Sequence, residues 1–198
     1  WVNVAGTSAG AIVAALVAAG YTARELAQII GETDFTRFQD PPPWGRIPLV
    51  GPFLSLLIDN GLYRGDALED WMAQLLEARG VRTFADLEMK PEPGIDVREP
   101  RFRYRLQVIA ADISRGRMLV LPRDLGVYGL DPGQVSVARA VRWSASLPFF
   151  YRPGRIRARD GTCYYVVDGG LLSNFPVWLF DVPGPPPWPT FGFHLVDP

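Results

Sequence analysis

Near the start of the chain a serine sits between two glycines, in Gly6-Thr7-Ser8-Ala9-Gly10. An apolar strand-like run, Val2-Asn3-Val4-Ala5, precedes it and an apolar helix-like run from Ala11 to Ala19 follows. Gly-x-Ser-x-Gly in that setting is the pattern of a nucleophile elbow, a tight strand-to-helix turn that lifts the serine hydroxyl clear of the backbone. A turn that tight has no room for large neighbours, which accounts for Gly6 and Gly10. Amides at the helix N-terminus, that of Ala9 first, can stabilise an oxyanion. The same pentapeptide also fits a small-residue turn that only packs a helix on a strand.

A nucleophilic serine needs a base. The chain has one histidine, His194. It lies in Thr190-Phe191-Gly192-Phe193-His194-Leu195-Val196, which alternates as a strand buried on one face does. The competing base is Asp168. It closes the β-rich run Cys163-Tyr164-Tyr165-Val166-Val167 and is followed at once by Gly169-Gly170. An aspartate there can point into a cleft while the glycines let another backbone approach. It can equally cap the next short helix.

Taken together these residues resemble the patatin-like phospholipase family. Two motifs carry the resemblance: Gly6-Thr7-Ser8-Ala9-Gly10, and Asp168-Gly169-Gly170 running on into Leu171-Leu172-Ser173-Asn174-Phe175-Pro176. Between them Ala145-Ser146-Leu147-Pro148-Phe149-Phe150 also looks like the family's pattern. The resemblance covers nearly the whole chain. It implies a three-layer α/β/α sandwich with a central, mostly parallel sheet, read as one acyl hydrolase domain over residues 1–198. It also implies a Ser–Asp dyad without histidine, falling on Ser8 as nucleophile and Asp168 as general base, with Gly6, Thr7, Gly10, Gly169 and Gly170 as motif residues. The implied reaction is hydrolysis of fatty-acyl esters of phospholipids, lysophospholipids or acylglycerols through an acyl-serine, with no metal or organic cofactor. Two rivals stand beside it: a Ser8–Asp168–His194 triad of the α/β-hydrolase kind, and a lipid-binding module without catalysis.

The family's glycine-rich oxyanion loop lies upstream of the elbow. Here the chain starts at Trp1, already inside the strand leading to Ser8, so an N-terminally truncated piece is expected. The remainder of the oxyanion hole, beyond the Ala9 amide, then lies outside this chain.

Composition excludes other chemistries. With 48% hydrophobic residues and a net charge of −1 over 198 residues, neither disorder nor attraction to nucleic acid is indicated. A single cysteine, Cys163, allows no intrachain disulfide and no cysteine-built metal site, and reads as a small buried hydrophobe. Phosphate binding of the P-loop type needs Gly-Lys-Ser/Thr, and the sole lysine, Lys90, stands between Met89 and Pro91. Arginines concentrate at Arg152, Arg155, Arg157 and Arg159, where they could face lipid head groups or form a solvated loop. The segment from Ile47 to Ile58, with two prolines, is too short to span a bilayer. It reads either as core helix or as a lid or interfacial patch. A lipid substrate at a membrane or micelle surface is the expected partner, with a cytoplasmic or peripheral membrane location.

The remaining elements must position Ser8 and Asp168. A helix is expected over Tyr21 to Ile30, with Thr22 as N-cap and Glu25 completing a capping box. A second spans Asp66 to Arg79, with Leu68, Trp71, Met72, Leu75 and Leu76 on one apolar face, a capping box from Asp66 and Glu69, and Gly80 as its stop. Phe102 to Ala111 reads as a strand entering a sheet interior, and Arg117 to Leu121 as its hairpin partner across Ser114-Arg115-Gly116. Gln134 to Ala145 reads as helix, and Pro183 to Pro189 as a stiff loop. Such alternation indicates an α/β sandwich.

Overall fold

One strand organises the sheet. The structure is a computed structural model that describes residues 1–48, 50–91, 99–182, 184–186 and 188–194. In chain order the strands are β1 (Val4–Thr7), β2 (Gly61–Tyr63), β3 (Leu106–Asp112), β4 (Arg117–Leu121), β5 (Phe149–Tyr151), β6 (Gly154–Arg157) and β7 (Cys163–Asp168). The helices are α1 (Ala9–Ala18), α2 (Ala23–Glu32), α3 (Gly51–Asp59), α4 (Asp66–Glu77), the single turn α5 (Pro100–Arg103) and α6 (Val137–Ser144). Every residue of β3 is buried, as in a strand covered on both faces.

β1 lies parallel to β3, from Val4 opposite Leu106 to Thr7 opposite Ile109. β4 runs antiparallel to β3 from Val108–Leu121 to Asp112–Arg117, across the expected hairpin turn. β7 is antiparallel to β3 from Ala110–Asp168 to Asp112–Val166, and β6 is antiparallel to β7. A strand residue has only two edges. Each of residues 108–112 has one partner in β4, and its other partner is in β1 or β7. β1 and β7 therefore share one edge of β3, point toward each other, and meet end to end between Ile109 and Ala110. The mostly parallel pairing that the resemblance implies is found at β1–β3 and at the separate ribbon β2–β5. The other three pairs are antiparallel: short turns join β3 to β4 and β6 to β7, whereas parallel neighbours need a long crossover, and β7 returns along β3 in the opposite direction.

α1, α4 and α6 cover one face. Leu16, Leu68, Trp71, Met72, Leu76 and Val141 pack there with Leu106, Val108 and Ala110 of β3, each large aliphatic side chain contributing roughly 1.5–3 kcal/mol. Ile109 points the other way and packs with Val120 and with Leu179 from the 3-10 turn Pro176–Phe180.

The capping box of α2 forms as its sequence indicates, with Thr22 and Glu25 exchanging hydrogen bonds. That of α4 does not. Its N-cap is Gly65, and the Asp40 carboxylate accepts from the Gly65, Asp66 and Ala67 amides at 2.7, 2.9 and 3.1 Å. Asp66 instead pairs with Arg64, and Glu69 with Arg139. α6 begins at Val137 rather than Gln134, because the Ser136 hydroxyl accepts from the Arg139 amide. The strand expected from Phe102 begins at Leu106, since the Arg103 carbonyl and Arg105 amide bond to Met89 and Leu87 instead of to the sheet. Cys163 is exposed at the outer end of β7, not buried. Residues 190–194 are in no strand, and Leu195 and Val196 of that expected element lie outside the described residues, as do Pro183 and Pro187 of the loop.

α3 inverts the usual burial. Its buried residues are Gly51 and Ser55, whereas Phe53, Leu57 and Ile58 are 61%, 64% and 59% exposed. The segment is therefore not core helix. Leu49, within it, is outside the described residues.

Candidate active site

Where β1 and β7 meet, Ser8, the residue after β1, comes against Asp168, the last residue of β7. The Ser8 hydroxyl donates to Asp168 Oδ2 at 2.5 Å. Asp168 is 5% exposed, while Ser8 is half-buried. The other carboxylate oxygen, Oδ1, accepts from the Gly170 amide at 2.7 Å and so caps the 3-10 turn Gly169–Leu171. The capping role expected of Asp168 is met by Oδ1, and Oδ2 is left to the Ser8 hydroxyl.

Ser8 has φ 55 and ψ −124, a conformation that costs an L-residue roughly 1–3 kcal/mol and persists only where the surroundings impose it. Several contacts impose it. A Cβ at Gly6 would overlap the Gly10 carbonyl, and one at Gly169 would overlap the Ile109 carbonyl of β3. The Thr7 hydroxyl donates to the Ser173 carbonyl at 3.0 Å, tying the segment after Asp168 back to β1. Gly10 differs from expectation: a Cβ there meets nothing within 4 Å, so the tightness of the turn falls on Gly6 alone. Ala9 and Gly10 are exposed as the first two residues of α1. Amides at those positions have no intrahelical acceptor and carry the positive end of the helix dipole.

His194 is not brought to the pair. It is exposed, its ring packs edge-on against Phe175 at 5.5 Å between centroids, and both Asp168 oxygens are engaged elsewhere. The arginine cluster does not converge either. Arg152 pairs with Asp59 at 2.9 Å, and Arg155 stacks on Tyr165. Among the described residues no group of three or more His, Cys, Asp or Glu side chains could hold a metal ion.

Sequence reasoning passed over the end of α6 as part of the site. Ser144 is fully buried, accepts from the Ser8 amide at 2.9 Å and donates to the Ile109 carbonyl at 2.6 Å. The Asp168 amide donates to the Ser146 carbonyl at 2.9 Å. Behind Ser146 the buried Arg142 guanidinium donates to the Ser146 hydroxyl at 2.8 Å, to the Arg152 carbonyl at 2.8 Å and to the Arg64 carbonyl. Burial pushes its pKa below the ordinary value, although a guanidinium keeps its proton throughout. Only the stretch Ala145 to Phe150 resembles a known pattern, and it begins one residue after Ser144. A cavity of about 730 Å³ lies between α4, α6 and β6, lined by Leu76, Arg139, Trp143 and Ile156 among others, but neither Ser8 nor Asp168 reaches it.

A strained serine at a strand-to-helix turn is bonded directly to an aspartate that opens a Gly-Gly turn, an arrangement suited to nucleophilic serine chemistry. The chain belongs to the patatin-like phospholipase family, whose model it matches over residues 1–181. It is 45% identical over 179 residues to the uncharacterized protein YqhO of Bacillus subtilis, covering 90% of this chain and 56% of that protein. It is 24% identical over 183 residues to the uncharacterized protein R571 of Acanthamoeba polyphaga mimivirus, covering 90% of this chain and 50% of that protein. The chain thus spans about half the length of these relatives. Among solved structures, VipD from Legionella pneumophila aligns over 93% of this chain and 42% of its own, at 17% identity and a TM-score of 0.46. The type III effector ExoU aligns over 71% of this chain and 33% of its own, at 20% identity and a TM-score of 0.41.

Proposed function

We propose that this chain is a serine acyl hydrolase that cleaves fatty-acyl esters of lipids through an acyl-serine intermediate, with Ser8 as nucleophile and Asp168 as its base. The observation that carries the reading is the 2.5 Å hydrogen bond from the Ser8 hydroxyl to Asp168, made from a strained elbow. Asp168 takes the Ser8 proton as Oγ attacks the ester carbonyl. The developing oxyanion faces the Ala9 amide at the positive end of α1. When the carbonyl–alcohol bond breaks, Asp168 gives the proton to the leaving alcohol. It then takes a proton from water, which attacks the acyl-serine, and returns it to Ser8 as the fatty acid leaves.

Support for a lipid substrate comes from family membership and from the apolar surface around the pair. Leu171 and Leu172 follow Asp168-Gly169-Gly170, Leu147 and Phe149 follow Ser146, and all four are exposed. Exposed apolar side chains of this kind, like those on the outward face of α3, suit contact with a lipid interface.

The test is labelling of the full protein with a fluorophosphonate, with the adduct mapped by mass spectrometry. The adduct is expected on Ser8, and Ser8→Ala is expected to lose both labelling and ester hydrolysis while staying folded. Labelling that persists in Ser8→Ala refutes the assignment. A protein that binds lipid vesicles but neither labels nor hydrolyses is a lipid-binding module instead.

A further inference from the structure

We propose that the end of α6 is a positioning clamp for the pair, with Ser144 holding the nucleophile and Ser146 the base, each through the backbone amide. This rests on the reading of Ser8 and Asp168 as nucleophile and base. The reason lies in the register of the sheet. Val4 N–H donates to the Arg105 carbonyl at 2.8 Å, and β1 keeps that register up to Thr7 opposite Ile109. In a parallel ladder bonds recur at every second residue, so the same offset sets the Ser8 amide against the Ile109 carbonyl. That rung is not made directly, because the chain turns off the sheet at Ser8. Ser144 stands in the gap. Its hydroxyl accepts from the Ser8 amide and donates to the Ile109 carbonyl, at 2.9 and 2.6 Å.

One oxygen thus takes the place of a ladder bond. It satisfies a donor and an acceptor that the elbow would otherwise orphan, and it spaces the elbow from β3 by one atom. That spacing fixes where the Ser8 hydroxyl starts. The Asp168 side is built on the same logic. β7 runs past the end of β6, whose last pair is Gly154–Val166, so the Asp168 amide has no strand partner on that edge and donates to the Ser146 carbonyl. Ser146 is in turn held twice by Arg142, through the guanidinium at 2.8 Å and the carbonyl at 2.7 Å. Ser144 and Ser146 are both fully buried with their hydroxyls engaged, so neither is a rival nucleophile.

The test uses the full protein and compares wild type, S144A and S144T. The readouts are the rate constant for fluorophosphonate attack on Ser8, kcat and KM on a short acyl ester, Tm, and amide hydrogen exchange of the peptide spanning Gly6–Ala9. In S144A the labelling rate and kcat are expected to fall about 10- to 100-fold, the scale set by a misplaced reacting group, with KM nearly unchanged. Exchange at Gly6–Ala9 is expected to accelerate, and S144T to recover most of the rate. A lower Tm with kcat per folded molecule unchanged is the signature of a merely structural hydroxyl and overturns the proposal. If S144A does not fold, S144C, which keeps the size and a weak S–H donor, is judged by the same criteria. A wild-type protein inert to the probe, or labelled elsewhere, refutes the hydrolase reading instead. The exchange arm then decides the clamp alone, and unchanged exchange at Gly6–Ala9 sinks it.

Discussion

Replacing Asp168 by asparagine changes one atom and reverses one hydrogen bond. In the native site Oδ1 accepts from the fixed Gly170 amide and Oδ2 from the Ser8 hydroxyl. Asparagine has a single acceptor oxygen. The Gly170 amide is a backbone donor that cannot turn away, so the carbonyl oxygen of the substituted side chain stays with it and the NH2 group faces Ser8 Oγ. The serine then becomes an acceptor and its proton has no base to go to. Loss of a positioned general base costs about 100- to 10,000-fold in rate, equivalent to roughly 3–5 kcal/mol of transition-state stabilisation. The fold loses little, because the cap on the Gly169–Leu171 turn and the bond to Ser8 both survive, one with its polarity reversed.

The control is His194→Ala. The ring is exposed and touches Phe175, so its removal belongs with surface changes, within about 0.5 kcal/mol in stability, and kcat/KM should be unchanged. The assay is kcat/KM on a short acyl ester for wild type, Ser8→Ala, Asp168→Asn and His194→Ala, with thermal unfolding in parallel. The dyad is refuted if folded His194→Ala is as inactive as Ser8→Ala, or if folded Asp168→Asn keeps more than about a tenth of the wild-type rate, well above what loss of a general base leaves.

Other predictions test the frame around the pair. Gly6→Ala drives a methyl into the Gly10 carbonyl and should cost several kcal/mol or prevent folding, whereas Gly10→Ala, with open space and a helical position, should gain up to about 1 kcal/mol; urea unfolding of the two variants separates them. Asp40→Ala removes the acceptor for three amides at the start of α4 and should lower stability by about 1–2 kcal/mol, read from the shift in denaturation midpoint. Tyr128 donates to buried Asp112 at 2.5 Å, and burial followed by that bond raises its phenol above the ordinary value of 10.0. The stability it supplies is complete below about pH 10 and is lost as the pH rises beyond, so Tyr128→Phe should differ from wild type by about 1–3 kcal/mol at neutral pH and by less in alkali. The double change Phe53→Ser and Leu57→Ser should leave Tm nearly unchanged while weakening cosedimentation with phospholipid vesicles; undiminished binding removes α3 from the lipid-facing surface.

The elbow and the Asp168 turn were legible because each is a local backbone problem with a local solution. Gly6 and Gly169 are glycines since another backbone passes where a side chain would be, and that constraint is written at the position itself. The helices were legible where their caps lie within four residues, as at Thr22 and Glu25. They were misread where the cap comes from far away, as at Asp40, since nothing near Asp66 records it. Strand direction left no local trace at all. The alternation in β7 is the same whether it runs with β3 or against it, and the direction decides whether Asp168 ends at Ser8 or at the far side of the sheet. Ser144 was invisible for the same reason: its partners are the Ser8 amide and the Ile109 carbonyl, and a serine near a helix end carries no sign of either. α3 was ambiguous because a short apolar run has no period long enough to show which face is outward.

The register also bears on why the proposed centre has two residues rather than three. β1 and β7 end on adjacent positions of one edge of β3, Thr7 opposite Ile109 and Asp168 opposite Ala110. Two strands that meet end to end on neighbouring rungs bring the residue just past the end of β1, Ser8, into direct contact with the last residue of β7, Asp168, here 2.5 Å between oxygens. An imidazole between a serine and an aspartate must hydrogen-bond to both, at about 2.6–3.2 Å on each side, which separates the two oxygens by far more than direct contact allows. Admitting a histidine would require β7 to stop short of Ala110, and the Gly169–Ile109 approach fixes it where it is, because the absent Cβ is what lets the turn lie against the β3 carbonyl. In the proposed mechanism the base at Ser8 is therefore set by strand register, and Gly169→Ala is the change that tests it. A methyl at that position forces β7 back from Ile109, lengthens the Ser8–Asp168 bond and should lower the rate of Ser8 labelling by at least about tenfold in the protein that remains folded, as misplacement of a reacting group does. Labelling at the wild-type rate in folded Gly169→Ala would show that the pair is held by something other than this contact.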